Sequence, residues 1–219
     1  MDIVLSDIEG TLTTGSSWRA LGKYLIQHGR WWAYYLFILS WLPRFPFVKL
    51  GVVDRRKGMT AWMQDEISLL AGKTKEEIGE IAAWIVRNEM WPKRRPDVIQ
   101  DLLQHRSPGV EIVLVSSAYQ PFVEAFARHL EAEAIGTDLM YHQNTLSGLS
   151  LPVNAYQQKA DKVRSLYKGN TIVAAYGDTA SDIPMMKLSQ EPIAVYPSRI
   201  LREAALSRGW RILDDQETP

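Results

Sequence analysis

The chain of 219 residues contains no cysteine, which excludes a disulfide framework and any metal site built from thiolates. Lys and Arg number 25, as do Asp and Glu, so no charge excess favours nucleic acid and we expect none as a partner. No apolar run reaches the roughly 18 residues that a membrane-spanning helix needs. The first residues, MDIVLSD, lack the basic segment of a signal peptide. We therefore expect a soluble, cytoplasmic protein.

Acidic residues are scarce between residues 12 and 60, where Asp54 is the single acid against eight Lys or Arg. The same region is rich in aromatic residues, with ten between Trp18 and Phe47. The rest of the chain has an ordinary composition. This local shift indicates a separate domain.

Strand and helix patterns alternate from residue 96 onward, as in VEIVLVSS, TIVAAYGD and PIAVYP, which favours a parallel sheet covered by helices on both faces. A helical pattern, with a capping-box spacing at Thr74 and Glu77, lies between the first strand, IVLSD, and the second. LMYHQNTLSGLSL has hairpin character around its glycine. The sequence therefore predicts an α/β fold with a helical insertion after the first strand.

Reactive polar residues follow several of these predicted strands. They are Asp7 and Glu9, Ser116 and Ser117, Asp178 and Asp182, and, at a helix start, Lys159. Because ligands bind at the carboxyl ends of parallel strands, these side chains should meet at one edge of the sheet. Carboxylates that lie close together repel one another unless a cation balances them, and Mg²⁺ is the cation that oxygen ligands and phosphates suit best.

Four motifs in this order resemble those of the haloacid dehalogenase superfamily: DIEGTLT, LVSSAY, Lys159 in QQKADKV, and GDTASDIPMM. LLAGKTKEEI and VYPSRILREAALSRGW look most like its phosphoserine-phosphatase branch. An insertion of about 80 residues lies between the first two motifs, where the superfamily places a helical cap. The resemblance implies a Rossmann-like parallel sheet flanked by helices, formed by residues 1–13 and 92–219, with an all-helical cap at 14–91.

The resemblance also implies a role for each matching residue. Asp7 would attack phosphorus and form an aspartyl-phosphate, and Glu9 would act as general acid and base. The substrate phosphate would be bound by Gly10, Thr11, Ser116, Ser117 and Lys159. Mg²⁺ would be held by Asp7, the backbone carbonyl of Glu9 and Asp178, with Asp182 as a ligand through water or as an orienting group.

Glu9 departs from the usual Asp-x-Asp pattern of the superfamily, although its enolase-phosphatases also read Asp-Ile-Glu-Gly-Thr. We expect a Mg²⁺-dependent phosphatase acting on a small phosphorylated substrate. Phosphoserine is not expected, because TTGSSWRAL lacks the acid that meets the substrate ammonium in phosphoserine phosphatases. The alternatives are an apolar or lipid-linked phosphate hydrolysed at a membrane surface, a non-catalytic phosphate-binding or membrane-binding module, and dehalogenation.

The twelve residues from Trp31 to Leu42 carry no charge and lie between Arg30 and Arg44. Four interpretations stay open: the core of the cap, a homodimer face, the wall of a substrate pocket, and a peripheral membrane contact. Of these we expect the cap core, in which case Trp31 and Trp32 should be buried.

Overall fold

The computed structural model describes residues 1–44, 46 and 54–214 of the chain. The strands are β1 (Asp2–Ser6), β2 (Val110–Tyr119), β3 (Glu133–Thr137), β4 (Leu139–His142), β5 (Thr145–Leu149), β6 (Thr171–Gly177), β7 (Glu191–Val195) and β8 (Arg211–Leu213). Six of them form a parallel sheet in the order β3, β2, β1, β6, β7, β8. β4 and β5 form a separate antiparallel hairpin.

Four described helices lie between β1 and residue 91, and we call them the inserted helices. They are α1 (Ser17–Gln27), α2 (Trp31–Trp41), α3 (Arg55–Ser68) and α4 (Lys75–Ile85), followed by a π-helical turn at Val86–Met90 and a 3₁₀ turn at Trp91–Lys93. The predicted capping box is confirmed: the Thr74 hydroxyl accepts from the Glu77 N–H, and the Glu77 carboxylate accepts from the Thr74 N–H. The exact bounds of the predicted cap, 14–91, stay a prediction.

The remaining helices cover the sheet, and they are α5 (Pro96–Gln104), α6 (Gln120–Ala127), α7 (Gln157–Leu166), α8 (Ile183–Met186) and α9 (Arg199–Arg208). Successive residues of β1 point to opposite faces. Val4 packs in a core shared with α5, α6 and the inserted helices, whereas Ile3 and Leu5 pack in a second core with α7, α8 and α9. Burial on both faces explains why β1 is continuously apolar. The predicted α/β fold, with helices on both faces of a parallel sheet, is confirmed.

Some local predictions were wrong or incomplete. The turn of the hairpin lies at Gln143 and Asn144, which both have positive φ (47° and 65°), and Gly148 lies inside β5 instead. The sequence pattern also did not predict β3 and β8, which are short strands. No helix of the described residues is long and apolar enough to cross a bilayer.

α2 has two different faces. Ala33, Phe37 and Trp41, spaced four residues apart, are buried, and the last two pack edge-to-face on Trp62 of α3. The opposite face is exposed, and its members Trp31, Trp32, Tyr35, Leu36, Leu39 and Leu42 are each 54–61% accessible. The expectation that Trp31 and Trp32 lie in the cap core is therefore wrong. An α-helix repeats every 3.6 residues, so a helix that is apolar all round buries one face and exposes the other when it packs on one side only.

Candidate active site

Sheet register brings the predicted residues to one edge. Ser6, the last residue of β1, is level with Leu114 of β2 and Tyr176 of β6. Asp7 follows Ser6 directly, and Ser116 and Asp178 each lie two residues beyond these partners. The Asp7 N–H donates to the Tyr176 carbonyl (3.0 Å), which fixes the start of the loop after β1. Three neighbouring strands thus deliver three polar side chains to one place.

Asp7, Asp178 and Asp182 form a cluster in which one carboxylate oxygen from each lies within 4.8 Å of the others. The buried ammonium of Lys159, near the start of α7, donates to Asp7 Oδ1 (2.6 Å) and Asp182 Oδ1 (2.7 Å). Buried charges of this kind are tolerated when they are paired and hydrogen-bonded. Lys159 therefore balances part of the acidic charge.

The acids remain in excess over the one ammonium. Burial, with the repulsion of Asp182 and Asp178, raises the pKa of Asp7 to about 8 against the opposing attraction of Lys159. Burial and the charge of Asp182 likewise raise the pKa of Asp178 to about 7. Burial alone would lower the pKa of Lys159. The negative charges of Asp182 and Asp7 outweigh this effect, so the pKa of Lys159 is raised. A divalent cation would restore ionised Asp7 and Asp178 at neutral pH.

The two acids of the β6 loop differ in how much they are already engaged. Asp182 Oδ1 accepts from Lys159, and Oδ2 accepts from both the N–H and the hydroxyl of Thr179 (3.0 Å each). Asp178 accepts one long bond, from the Thr11 hydroxyl (3.4 Å), which is equally far from Asp7 Oδ2. Asp178 and Asp7 thus keep oxygens for a hard cation, whereas the geometry of Asp182 suits an orienting group.

Gly10 allows the loop after β1 to lie close to the loop after β6, which carries Asp178. Its φ of +91° lies in the left-handed region, and a Cβ placed there would lie 2.0 Å from Asp178 Oδ2. A side chain would therefore force the β1 loop and Asp178 apart. The glycine is required by the acid cluster itself.

Glu9 faces the same space from the other side of the loop. Its carboxylate accepts a short hydrogen bond from the hydroxyl of Ser17, at the start of α1. Burial raises its pKa, and the bond from Ser17 opposes this only in part. A carboxyl group with a raised pKa holds a proton more readily than a free one, which suits a group that must both give and take a proton.

Ser116 and Ser117 also border this space. Ser116 is buried, its hydroxyl accepts from the Ala118 N–H (3.2 Å), and its carbonyl accepts from the side chain of Asn154 (2.8 Å). Asn154, which the sequence did not single out, thus fixes the β2 end from behind.

A cavity of about 320 Å³ joins these groups to the inserted helices. Its floor holds every predicted site residue except Gly10 and Thr11, which lie beneath it in the β1 loop. Its other wall is formed by Tyr119, the last residue of the motif LVSSAY, and by residues that lie outside the motifs: Trp18 of α1 and Met59, Trp62, Met63 and Glu66 of α3.

Glu66 is the unexpected member of that wall. It shares a helical face with Met59, Trp62, Met63 and Leu70, and an acid within such an apolar stripe is the signal that could have found it. Burial raises the pKa of Glu66 to about 7, opposed by a hydrogen bond from Tyr119 and assisted by the charge of Glu9.

Three curated relatives share 26–28% identity with the chain. The "Inhibition of morphological differentiation protein" of Streptomyces azureus is 28% identical over 74% of this chain, which spans 59% of that protein's length. "Phosphoserine phosphatase SerB1" of Mycobacterium tuberculosis is 26% identical, covering 95% of this chain and 69% of its own. A "Histidinol-phosphatase" of Neisseria meningitidis is 27% identical over 97% and 98% of the two chains.

Solved structures share the fold at lower identity. A protein of unknown function from Bordetella pertussis superposes with a TM-score of 0.81, at 20% identity, over 98% of this chain and 99% of its own. The phosphoserine phosphatase of T. onnurineus superposes with a TM-score of 0.56, at 18% identity, over 98% and 90%.

The family model of the haloacid dehalogenase-like hydrolases matches residues 4–187, a span that includes all four motifs and the inserted helices. Phosphatases are among the relatives, in agreement with the phosphate chemistry that the motifs predict. The chain therefore belongs to the haloacid dehalogenase-like hydrolases, and its fold is that of their phosphoserine-phosphatase-like branch.

Proposed function

We propose that the chain is a Mg²⁺-dependent phosphatase that hydrolyses a phosphomonoester through an aspartyl-phosphate on Asp7. One observation carries the proposal: Asp7 lines the cavity between the Lys159 ammonium and two further acids, and Glu9 borders the same cavity. The match to the hydrolase family and the phosphatase relatives support it.

Mg²⁺ would be held by Asp7, the backbone carbonyl of Glu9 and Asp178, whose carboxylate oxygens fit a hard cation. When bound, it would neutralise phosphoryl oxygens so that an anionic nucleophile can approach an anionic substrate. Asp182 would orient Lys159 rather than bind the metal directly, because both of its oxygens already accept hydrogen bonds.

The first half of the reaction forms a bond between an Asp7 oxygen and phosphorus and breaks the bond from phosphorus to the leaving oxygen. Lys159 and the Ser116 hydroxyl would donate to the phosphoryl oxygens and hold phosphorus in line with Asp7. Gly10 and Thr11 would supply further donors from the β1 loop. The substrate phosphate would take over the bond that Lys159 now gives to Asp7.

Glu9 would protonate the leaving alcohol as that bond breaks. It would then take a proton from the water that attacks the aspartyl-phosphate, which releases inorganic phosphate and restores Asp7. The raised pKa of Glu9 supports this double role, and the hydrogen bond from Ser17 holds its carboxylate in place.

The test is turnover of a panel of phosphomonoesters, including p-nitrophenyl phosphate, with Mg²⁺. Acid quenching with a ³²P-labelled substrate should leave label on wild-type protein and none on Asp7→Asn. Binding of phosphate without turnover of any panel member would show instead a non-catalytic phosphate-binding module.

A second candidate, membrane contact, is favoured by the exposed face of α2. We propose that this face binds an anionic membrane surface, because its Trp, Tyr and Leu side chains suit the headgroup boundary and residues 12–60 carry eight basic residues against one acid. Such contact would bring the cavity near lipid-linked phosphates.

Vesicles with and without phosphatidylserine test the membrane contact. Wild type should bind the anionic vesicles and dissociate from them at high salt, because salt screens the attraction between basic side chains and anionic lipids. Changing Trp31 and Trp32 to serine should abolish binding, whereas Leu206→Ser, at an equally exposed site on α9, should not. Dimerisation through the same residues, with no vesicle binding, would overturn the proposal in favour of a homodimer face.

A further inference from the structure

The wall of the cavity contains a carboxylate that the proposed chemistry does not use. Glu66 is 2% accessible, yet it borders the cavity. Its Oε2 lies 2.9 Å from the hydroxyl of Tyr119, whereas its Oε1 is buried and has no hydrogen-bond partner among the described residues. An unsatisfied buried carboxylate oxygen is costly, so a ligand that donates to it would be strongly favoured.

The surroundings of Glu66 fit a cation. Trp18 and Trp62 meet edge-to-face, with ring centroids 5.7 Å apart, and line the cavity together with Met59 and Met63. Aromatic faces attract a cation and keep water away from it. Charge-assisted hydrogen bonds are strong in such an environment.

The same wall is unsuited to a negative group. Among the described residues that line the cavity, Lys159 is the single cation, and it is held by Asp7 and Asp182 at the phosphate end. Near Glu66, the described lining residues offer carboxylates, an aromatic hydroxyl and apolar side chains, with no Arg or Lys among them. A carboxylate on the leaving group would face Glu66 and Glu9 without a partner.

We propose that Glu66, held in place by Tyr119, accepts a hydrogen bond from a protonated amine on the alcohol part of the substrate, and that this alcohol carries no carboxylate. The substrate class is thus the phosphomonoester of an amino alcohol. This inference rests on the proposed phosphatase function and adds the group that selects the substrate.

Burial holds the pKa of Glu66 near neutrality, and an ammonium beside it would reverse that shift and favour the carboxylate. The cap acid missing from TTGSSWRAL is therefore supplied from α3, about 50 residues further along the chain. The fold brings it to the cavity by packing α3 against the end of β2, where Tyr119 lies.

The experiment compares kcat/KM for phosphoethanolamine, for propyl phosphate, in which a methyl group replaces the ammonium, and for O-phospho-L-serine, which adds a carboxylate. Wild type should prefer phosphoethanolamine to each of the others by roughly 10–100-fold, the worth of one charge-assisted hydrogen bond. The difference should lie mainly in KM, because the amine is bound before and during the reaction.

Glu66→Gln should bring the ratio between phosphoethanolamine and propyl phosphate close to 1. Asp65→Asn removes a neighbouring carboxylate of α3 that is 47% exposed and contacts Trp41 and Arg44, so it should keep the wild-type ratio. Should Glu66→Gln fail to fold, Tyr119→Phe, which removes the hydroxyl that holds Glu66, should also lower the ratio.

The outcomes separate the two proposals. Turnover of p-nitrophenyl phosphate with equal kcat/KM for phosphoethanolamine and propyl phosphate would overturn the role of Glu66 and leave the phosphatase intact. A preference for phosphoserine would overturn the exclusion of a carboxylate. No turnover of any ester would remove the proposed function, and this inference with it.

Discussion

The two walls of the cavity differ in how completely their polar groups are satisfied. On the sheet side, Lys159 donates to both Asp7 and Asp182, and Ser17 donates to Glu9, so that mainly Asp178 keeps oxygens for a cation. On the side of the inserted helices, Glu66 keeps a buried oxygen that has no hydrogen-bond partner in the described part of the chain. A satisfied network is rigid and holds reacting groups in place, whereas an unsatisfied one waits for a ligand. Under the proposed function, the sheet edge performs the chemistry and the inserted helices select the substrate.

Asp7→Asn should have the largest effect and should act on every substrate alike. An amide cannot attack phosphorus, so kcat should fall by at least about 10⁴-fold, within the range that loss of a nucleophile causes. The fold should persist, because the change removes one of three mutually repelling acids. Steady-state kinetics with circular dichroism measure both. Wild-type turnover in this variant would exclude Asp7 as the nucleophile.

Removal of the metal should stop turnover as completely as Asp7→Asn does. Activity should vanish with EDTA and return with Mg²⁺, while Ca²⁺, with its larger and looser coordination shell, should restore it poorly. Asp178→Asn should weaken both activity and Mg²⁺ affinity, because this carboxylate keeps oxygens free. Isothermal titration of Mg²⁺ provides the second readout. Full activity in EDTA would contradict the metal site.

Glu9→Gln should lower kcat by a smaller factor than Asp7→Asn, and this factor should depend on the leaving group. The loss should be roughly 10²–10⁴-fold for alkyl phosphates, the usual range for general acid–base catalysis. It should shrink for p-nitrophenyl phosphate in the first step, since that leaving oxygen needs no proton. Aspartyl-phosphate should accumulate, because water would lack its base. Equal and small losses for all substrates would assign the proton transfers to another residue.

The sheet side of the cavity was largely predictable from sequence. Parallel strands end at one edge, so polar residues that follow apolar runs, such as Asp7, Ser116 and Asp178, had to meet there. The short strand β3 was not predicted, because its sequence, EAIGT, has only a weak strand pattern. Its Gly136 is there for packing: a Cβ would lie 2.7 Å from the Cα of Gln120 at the start of α6.

The other side could not be predicted because it depends on how helices pack. α2 is apolar all round, so its sequence could not say which face would be covered. Glu66 is one of two acids in α3, and its place in the apolar stripe separates it in the sequence from its exposed neighbour Asp65. What the sequence could not show is that this stripe packs against the end of β2, where Tyr119 contacts Glu66. Residues 45 and 47–53, which hold part of the basic stretch, lie outside the described residues.

The smallest expected effect concerns stability and sharpens the contrast between the two walls. The pKa of Glu66 is raised from 4.5 to about 7 by burial. Between these values the folded chain binds a proton that the unfolded chain has released, so the free energy of unfolding falls as pH rises toward 7 and this contribution is constant above it. The free energy of unfolding therefore changes by about 3 kcal/mol at most across this range.

Glu66→Gln removes this titration while keeping a similar shape. Its stability relative to wild type should therefore increase by about 1–3 kcal/mol between pH 5 and pH 8, measured by urea unfolding in EDTA. Asp65→Asn, which alters an exposed acid on the same helix, should show no such trend. If the stability difference between Glu66→Gln and wild type stays flat across this range, Glu66 is already ionised at pH 5. Glu66 Oε1 would then have a hydrogen-bond partner in solution, and the two walls of the cavity would be equally satisfied.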